Sequence, residues 1–245
     1  MKNLVSALQF ITVLPVGKKY EYNPVGMIPC FPLVGLILGL LLAVFDSAVS
    51  HLWPSYVVSV LDVIFLVVVT GAFHIDGLGD AADGLFSHRP KEKVLEIMKD
   101  SRIGVMGLVA IVCGLAVKWC GISSLPDSGA ERFIILLIIP AYARASMLFG
   151  IKNLEYGRTE GTGHDHFQKP LNLQSFRWLI IPVIISFSLG LRGLWINISF
   201  IVVVFLIIRL YKKTLGCITG DMLGAMTETT ESLLFLLSAI CFVKV

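Results

Sequence analysis

The run MIPCFPLVGLILGLLLAVFDSAV, from Met27 to Val49, decides the class of this protein. It is apolar and long enough to cross a bilayer as a helix. Gly26, Gly35 and Gly39 supply small faces on which neighbouring helices can pack. Working outward, comparable runs place further spans at roughly Tyr56 to Phe73, Gly104 to Ile122, Phe133 to Gly150, Trp178 to Leu191, Leu194 to Tyr211 and Ser232 to Val245. The expected architecture is an all-α, polytopic membrane bundle of about seven transmembrane helices. A single transmembrane domain over residues 1–245 is expected. Leu4 to Leu14 is too short to span and reads as an interfacial or re-entrant helix ending at Pro15, within residues 1–20. No A-x-A-like site follows it, so no cleaved signal peptide is expected.

Composition agrees. The chain is 56% hydrophobic and only 15% charged, with a mean hydropathy of +0.84, whereas soluble domains carry about 25% charged residues. A net charge of +3 is too small to argue for a nucleic-acid partner. The five cysteines form no CxxC or Cys/His cluster, so neither a zinc site nor a disulfide framework is implied. Most of the 20 lysines and arginines fall in segments that share a side with the N-terminus. Only Lys118, Arg132, Arg192 and Lys244 fall on the other side, and Arg144 lies within a span. The positive-inside rule therefore puts the N-terminus in the cytoplasm and the C-terminus outside.

The three long polar stretches all lie on the cytoplasmic side, and they carry the motifs. The first is HIDGLGDAADG, His74 to Gly84. On a helix, Asp76, Asp80 and Asp83 fall within about 60° of one another, with only glycine, alanine and leucine between them. Three like charges on one face repel. A divalent cation relieves that conflict, and oxygen-only ligands suit Mg²⁺, which commonly uses one or two carboxylates plus substrate phosphates. Capping of a helix N-terminus would explain Asp76 alone.

The second motif is MKDSRIG, Met98 to Gly104. Asp100 either caps the following span or stands near the metal, with Lys99 or Arg102 on a phosphate. Tyr156 to Gly163 reads YGRTEGTG, in which Arg158 could contact phosphate; a plain flexible loop is the competing reading. His164 and His166 read as loop residues. The last motif, Thr219 to Glu228, puts Asp221 and Glu228 seven apart on one helix face with Gly224 and Ala225 between them. Its bland alternative is a capped amphipathic surface helix. Arg144 is costly in lipid and should face an interior polar site. Asp46 and Asp62 lie toward the outer side and are left out of the site.

These motifs, in this order, resemble those of the cobalamin (5′-phosphate) synthase family, the adenosylcobinamide-GDP ribazoletransferases. The resemblance rests on His74 to Phe86, Met98 to Gly107, Tyr156 to Gly163 and Thr219 to Glu231. Phe10 to Pro15 and Phe31 to Gly35 add to it, so that it spans nearly the whole chain. Gly79 stands where the family pattern has alanine and Cys217 where it has glycine; neither change removes a carboxylate. The resemblance implies a Mg²⁺-dependent transferase in a prokaryotic cytoplasmic membrane, its active site facing the cytoplasm. It would join adenosylcobinamide-GDP to α-ribazole, or its 5′-phosphate, and release GMP. Asp76, Asp80 and Asp83 would bind metal and diphosphate, with Asp80 and Asp83 also catalytic. Asp100 or Asp221 would be a further ligand or the base. Lys99, Arg102, Arg144, Arg158 and Glu228 would contact substrate. The oligomeric state stays open, a homo-oligomer included.

The competing readings are a CDP-alcohol phosphotransferase, a prenyltransferase and a small ion-coupled transporter. Leu78-Gly79-Asp80 departs from the first pattern, TGD-x-x-GA is a poor second aspartate motif for the second, and acids at span ends disfavour the third.

Overall fold

A computed structural model of the chain describes residues 2–17, 23–127, 129–158 and 164–240. The helices are α1 (Lys2–Ile11), α2 (Pro24–Met27), α3 (Phe31–Val49), α4 (Ser55–Val69), α5 (Phe73–Leu85) and α6 (Lys91–Ile97), followed by α7 (Val105–Ser123), α8 (Ala130–Asn153), α9 (Ile180–Ser186), α10 (Leu191–Thr214) and α11 (Gly220–Ser238). Two short strands, β1 (Glu155–Tyr156) and β2 (Cys217–Ile218), pair in parallel. Among the described residues, four helical stretches are long and apolar enough to cross a membrane: Pro24–Val49, α7, α8 and α10. There are five if the bent pair α4 and α5 counts as one.

The centre of the bundle is α8, with 83% of its apolar window buried, against 22% for α7 and 39% for α10. Its closest partner is α3. A Cβ on Gly35 would collide with the backbone of Pro140 and Ala141, and one on Gly39 with the carbonyl of Leu137. Glycine at both positions lets the two backbones touch, which is how helices associate where lipid gives no hydrophobic drive. Beneath this pair α1 presents an amphipathic face, burying Ala7 and Ile11 in the core.

Three of the expected spans are redrawn. The second ends at Val69, because Gly71 and Ala72 take left-handed backbone (φ +59° and +57°) and turn the chain by 89° into α5. The HIDGLGDAADG segment thus runs across the direction of α4. Trp178 to Leu191 is not one helix; 3₁₀ turns at Leu173–Leu179 and Phe187–Leu189 flank the short α9. Pro182 lies in the first turn of α9, where its missing N–H is tolerated, and it bars an unbroken α-helix from further upstream. The expected last span, from Ser232, is the second half of α11. That helix starts at Gly220, capped by Thr219, whose hydroxyl accepts from the Met222 amide at 3.2 Å. Residues 241–245 lie outside the described part, as do Lys18, Lys19 and residues 159–163 of the glycine-rich loop.

Candidate active site

α5 crosses α11 at two glycines. A Cβ on Gly77 would stand 2.7 Å from the Asp221 carbonyl oxygen, and one on Gly224 3.3 Å from that of His74. This close approach sets the aspartates of the first motif beside the first turn of α11. The β1–β2 pair, extended by the Gly157 amide donating to Ile218 (2.9 Å), brings the loop after α8 to the same place. Arg158 there donates to Asp221 at 2.6 Å. Asp76, Asp80, Asp221 and Arg158, scattered over some 150 residues of sequence, thus share one electrostatic neighbourhood.

The fields confirm how crowded it is. Burial, then the charges of Asp76 and Asp221, push the Asp80 carboxyl up to about 6, with Arg158 opposing. Burial likewise raises Asp221, against the pull of Arg158. Among the described residues no three His, Cys, Asp or Glu side chains converge tightly enough to enclose a metal ion. Mg²⁺ does not need a closed protein cage, since it usually keeps waters and takes substrate phosphates as ligands. Carboxylates that raise one another's proton affinity, with only Arg158 opposing, fit an open site of that kind.

Asp83 is engaged differently. Its two oxygens accept from the amides of Gly104 (2.6 Å) and Gly107 (2.8 Å), capping α7 from another helix. Asp100, which sequence allowed as that cap, instead pairs with Arg102 at 2.6 Å in an exposed bidentate contact. Hydrogen bonds from Arg102 hold Asp100 down to about 2. Gly104 and Gly107 are small because the Asp83 carboxylate lies where their side chains would be. Lys99 is exposed beside this loop.

Two residues expected to meet substrate are placed in the buried core instead. Arg144 is bonded to Glu231, and Glu228 to Lys118 at 2.6 Å; Lys118 also holds Glu231 at 2.8 Å. Deep in the bundle each charge is held by an opposite one, since a charge left unpaired there is strongly destabilising. Lys118 and Arg132, counted from sequence on the outer side, are both buried, Arg132 against Asp46 (2.5 Å) and Asp62 (3.3 Å). For Lys118 a signal existed: it is a lone charge inside an apolar run.

A cleft of about 580 Å³, including its open mouth, connects the acids to a second group of residues. Asp76, Asp221, Gly77 and Gly220 line one part; Phe10, Phe31, Phe73, His74 and His166 line another, with Met147, Leu223 and Gly224 completing it. His166, read from sequence as a loop residue, is only 3% exposed. No local pattern could have flagged it, because its neighbours in the cleft come from α1, α3 and α5.

Fold and site together define an all-helical protein with membrane-crossing helices and an acid-lined cleft at their side. The family model for cobalamin-5-phosphate synthase matches residues 3–240. A protein of Alkaliphilus metalliredigens named adenosylcobinamide-GDP ribazoletransferase is 37% identical, over 97% of this chain and 95% of that one. Proteins of the same name from Acetivibrio thermocellus (31% identical, 97% of each chain) and Escherichia coli K12 (34%, 94% and 96%) are also similar. No solved structure matches. The chain belongs to the cobalamin-5-phosphate synthase family, and it is a transferase.

Proposed function

We propose that the chain joins adenosylcobinamide-GDP to α-ribazole, or its 5′-phosphate, giving the cobalamin product and GMP, and that it needs Mg²⁺. The reading is supported by the names of its relatives. The observation that carries it is the meeting of Asp76 and Asp221 at one cleft, with Asp80 in their electrostatic field and Arg158 bonded to Asp221. A ribose hydroxyl of the ribazole attacks the phosphorus attached to cobinamide. The new O–P bond forms as the bond to the bridging oxygen breaks, and GMP leaves with that oxygen. The hydroxyl proton passes to a carboxylate. Asp221 suits this role better than Asp100, since burial raises its proton affinity while Arg102 depresses that of Asp100. Arg158, with Lys99 and Arg102 from the loop before α7, would steady phosphate oxygens.

Asp76 and Asp80 would hold Mg²⁺ together with the diphosphate, Asp83 lending only the lone pairs that its two amide bonds leave. Once bound, the ion would supply neutralising charge for the diphosphate and its leaving oxygen. The basic residues flanking the helices support a cytoplasmic site in a prokaryotic inner membrane. Burial of Lys118 and Arg132 takes two charges out of the outer-side tally, which supports that asymmetry.

The test is GMP release by purified protein in lipid, given Mg²⁺, adenosylcobinamide-GDP and α-ribazole. Turnover should vanish in EDTA and fall at least about 100-fold in Asp80→Asn. No GMP from the wild type would reject the substrates; full activity in EDTA and in Asp80→Asn would reject the metal.

A further inference from the structure

The aromatic part of the cleft is chemically unlike its acidic part. Phe10 meets Phe73 at 5.3 Å and His166 at 5.2 Å, both edge to face, and Phe31 meets His166 at 6.0 Å. His74 tilts against Phe73 at 5.4 Å. These five rings come from α1, α3, α5 and the turn after β1, so the fold, not one local motif, assembles them. Two of them are polar and starved. His74 is 1% and His166 3% exposed, yet both nitrogens of His74 and Nε2 of His166 have no hydrogen-bond partner among the described residues. A buried unpaired donor or acceptor costs about 1–3 kcal/mol, and buried polar atoms in folded proteins are nearly always satisfied. The two side chains that carry these three atoms both line one cleft, beside rings and the apolar Met147 and Leu223.

The ligand that answers this surface is flat, mostly apolar and carries one or two ring nitrogens. A guanine edge presents several donors and acceptors, which phenylalanine, methionine and leucine cannot meet. A benzimidazole has an apolar carbocyclic edge and, once joined to ribose, a single free ring nitrogen. We propose that this chamber holds the heterocyclic base of the acceptor nucleoside, with His74 or His166 donating to its free ring nitrogen and the ribose directed toward Asp76 and Asp221. The assignment rests on the reaction proposed above. It makes Phe31 and His166 binding residues that select the acceptor and leaves the corrinoid nucleotide to the acidic and basic groups.

The experiment uses the full chain in lipid with Mg²⁺. Phe31→Leu and His166→Phe should each raise KM for α-ribazole about tenfold, as expected for loss of base stacking or of its polar contact. KM for adenosylcobinamide-GDP should stay within twofold. Because Phe31 is a core residue, Phe73→Leu, on the half-exposed side of the chamber, serves where Phe31→Leu does not fold. A rise in the corrinoid KM instead would mean that the chamber holds the guanine nucleotide and would overturn the proposal. So would unchanged KM values with only kcat reduced. Equilibrium dialysis with benzimidazole and with guanosine judges the chamber independently of turnover. Benzimidazole should bind the wild type and bind His166→Phe at least about fivefold more weakly. Preference for guanosine, or equal benzimidazole binding by both proteins, would overturn the subsite even if GMP is released; silence of the wild type in turnover alone would overturn the reaction.

Discussion

Asp80 shows what a single side chain endures at this site. Burial and its acidic neighbours hold its carboxyl up to about 6, against about 4 in an unfolded chain. Between those values the folded protein keeps a proton that the unfolded chain has released. Stability from this group is therefore present at low pH and is lost as pH rises from about 4 to 6. Mg²⁺ among the carboxylates, as proposed, would stabilise their charged form and offset that loss at the upper end of the window. In EDTA the melting temperature should fall as pH is raised from 4.5 to 6.5, and Mg²⁺ should restore it at the upper end. An identical profile in Asp80→Asn would place the effect elsewhere. Asp83 makes the opposite case, a carboxylate whose main contacts are two backbone amides. Asp83→Ala should cost about 1–2 kcal/mol in thermal unfolding, as removal of a helix cap does. Asp83→Asn, which keeps one amide oxygen as acceptor, should cost less.

At the scale of elements, the decisive contact is the crossing of α5 and α11. It depends on Gly77, whose hydrogen faces the Asp221 backbone where a methyl group has no room. Gly77→Ala should displace the first turn of α11 by a fraction of an ångström to an ångström. Catalysis is sensitive on that scale: misplacement by about 1 Å can cost about 100-fold. GMP release should fall by about that factor, while circular dichroism and the elution volume in detergent stay unchanged. Loss of the fold would instead show that the crossing is needed for assembly. The left-handed Gly71-Ala72 turn serves the same end, because an unbroken α4 would carry the aspartates away from α11.

Taken whole, the described residues hold two buried ion networks, Lys118–Glu228–Glu231–Arg144 and Arg132–Asp46–Asp62. The first balances two acids against two bases. It ties α7, α8 and α11 together directly behind His74, which lies in the field of Arg144, Glu231 and Lys118. Lys118→Met leaves Glu228 without a partner and should lower stability by about 3–5 kcal/mol. Adding Glu228→Gln should recover much of that, because Glu231 keeps Arg144. Thermal unfolding of both variants in detergent checks the order; a double variant no more stable than the single one would deny the pairing.

By itself the sequence determined the helical class, the long apolar spans, the small-residue packing of Gly35 and Gly39, and the aspartate motif of Asp76 and Asp80. All are local: they follow from hydropathy along a run, from side-chain size and from the period of a helix. The family was legible too, since its motifs are short and contiguous. Only the tertiary structure decided what the charged residues do. Asp83 caps a helix begun some 20 residues later, Glu228 turns inward to Lys118, Arg144 finds its partner in Glu231, and His166 packs on rings from α1 and α3. A carboxylate's role is set by whichever donor reaches it in space. In a bundle that donor lies on another helix, at a distance along the chain that no local pattern records.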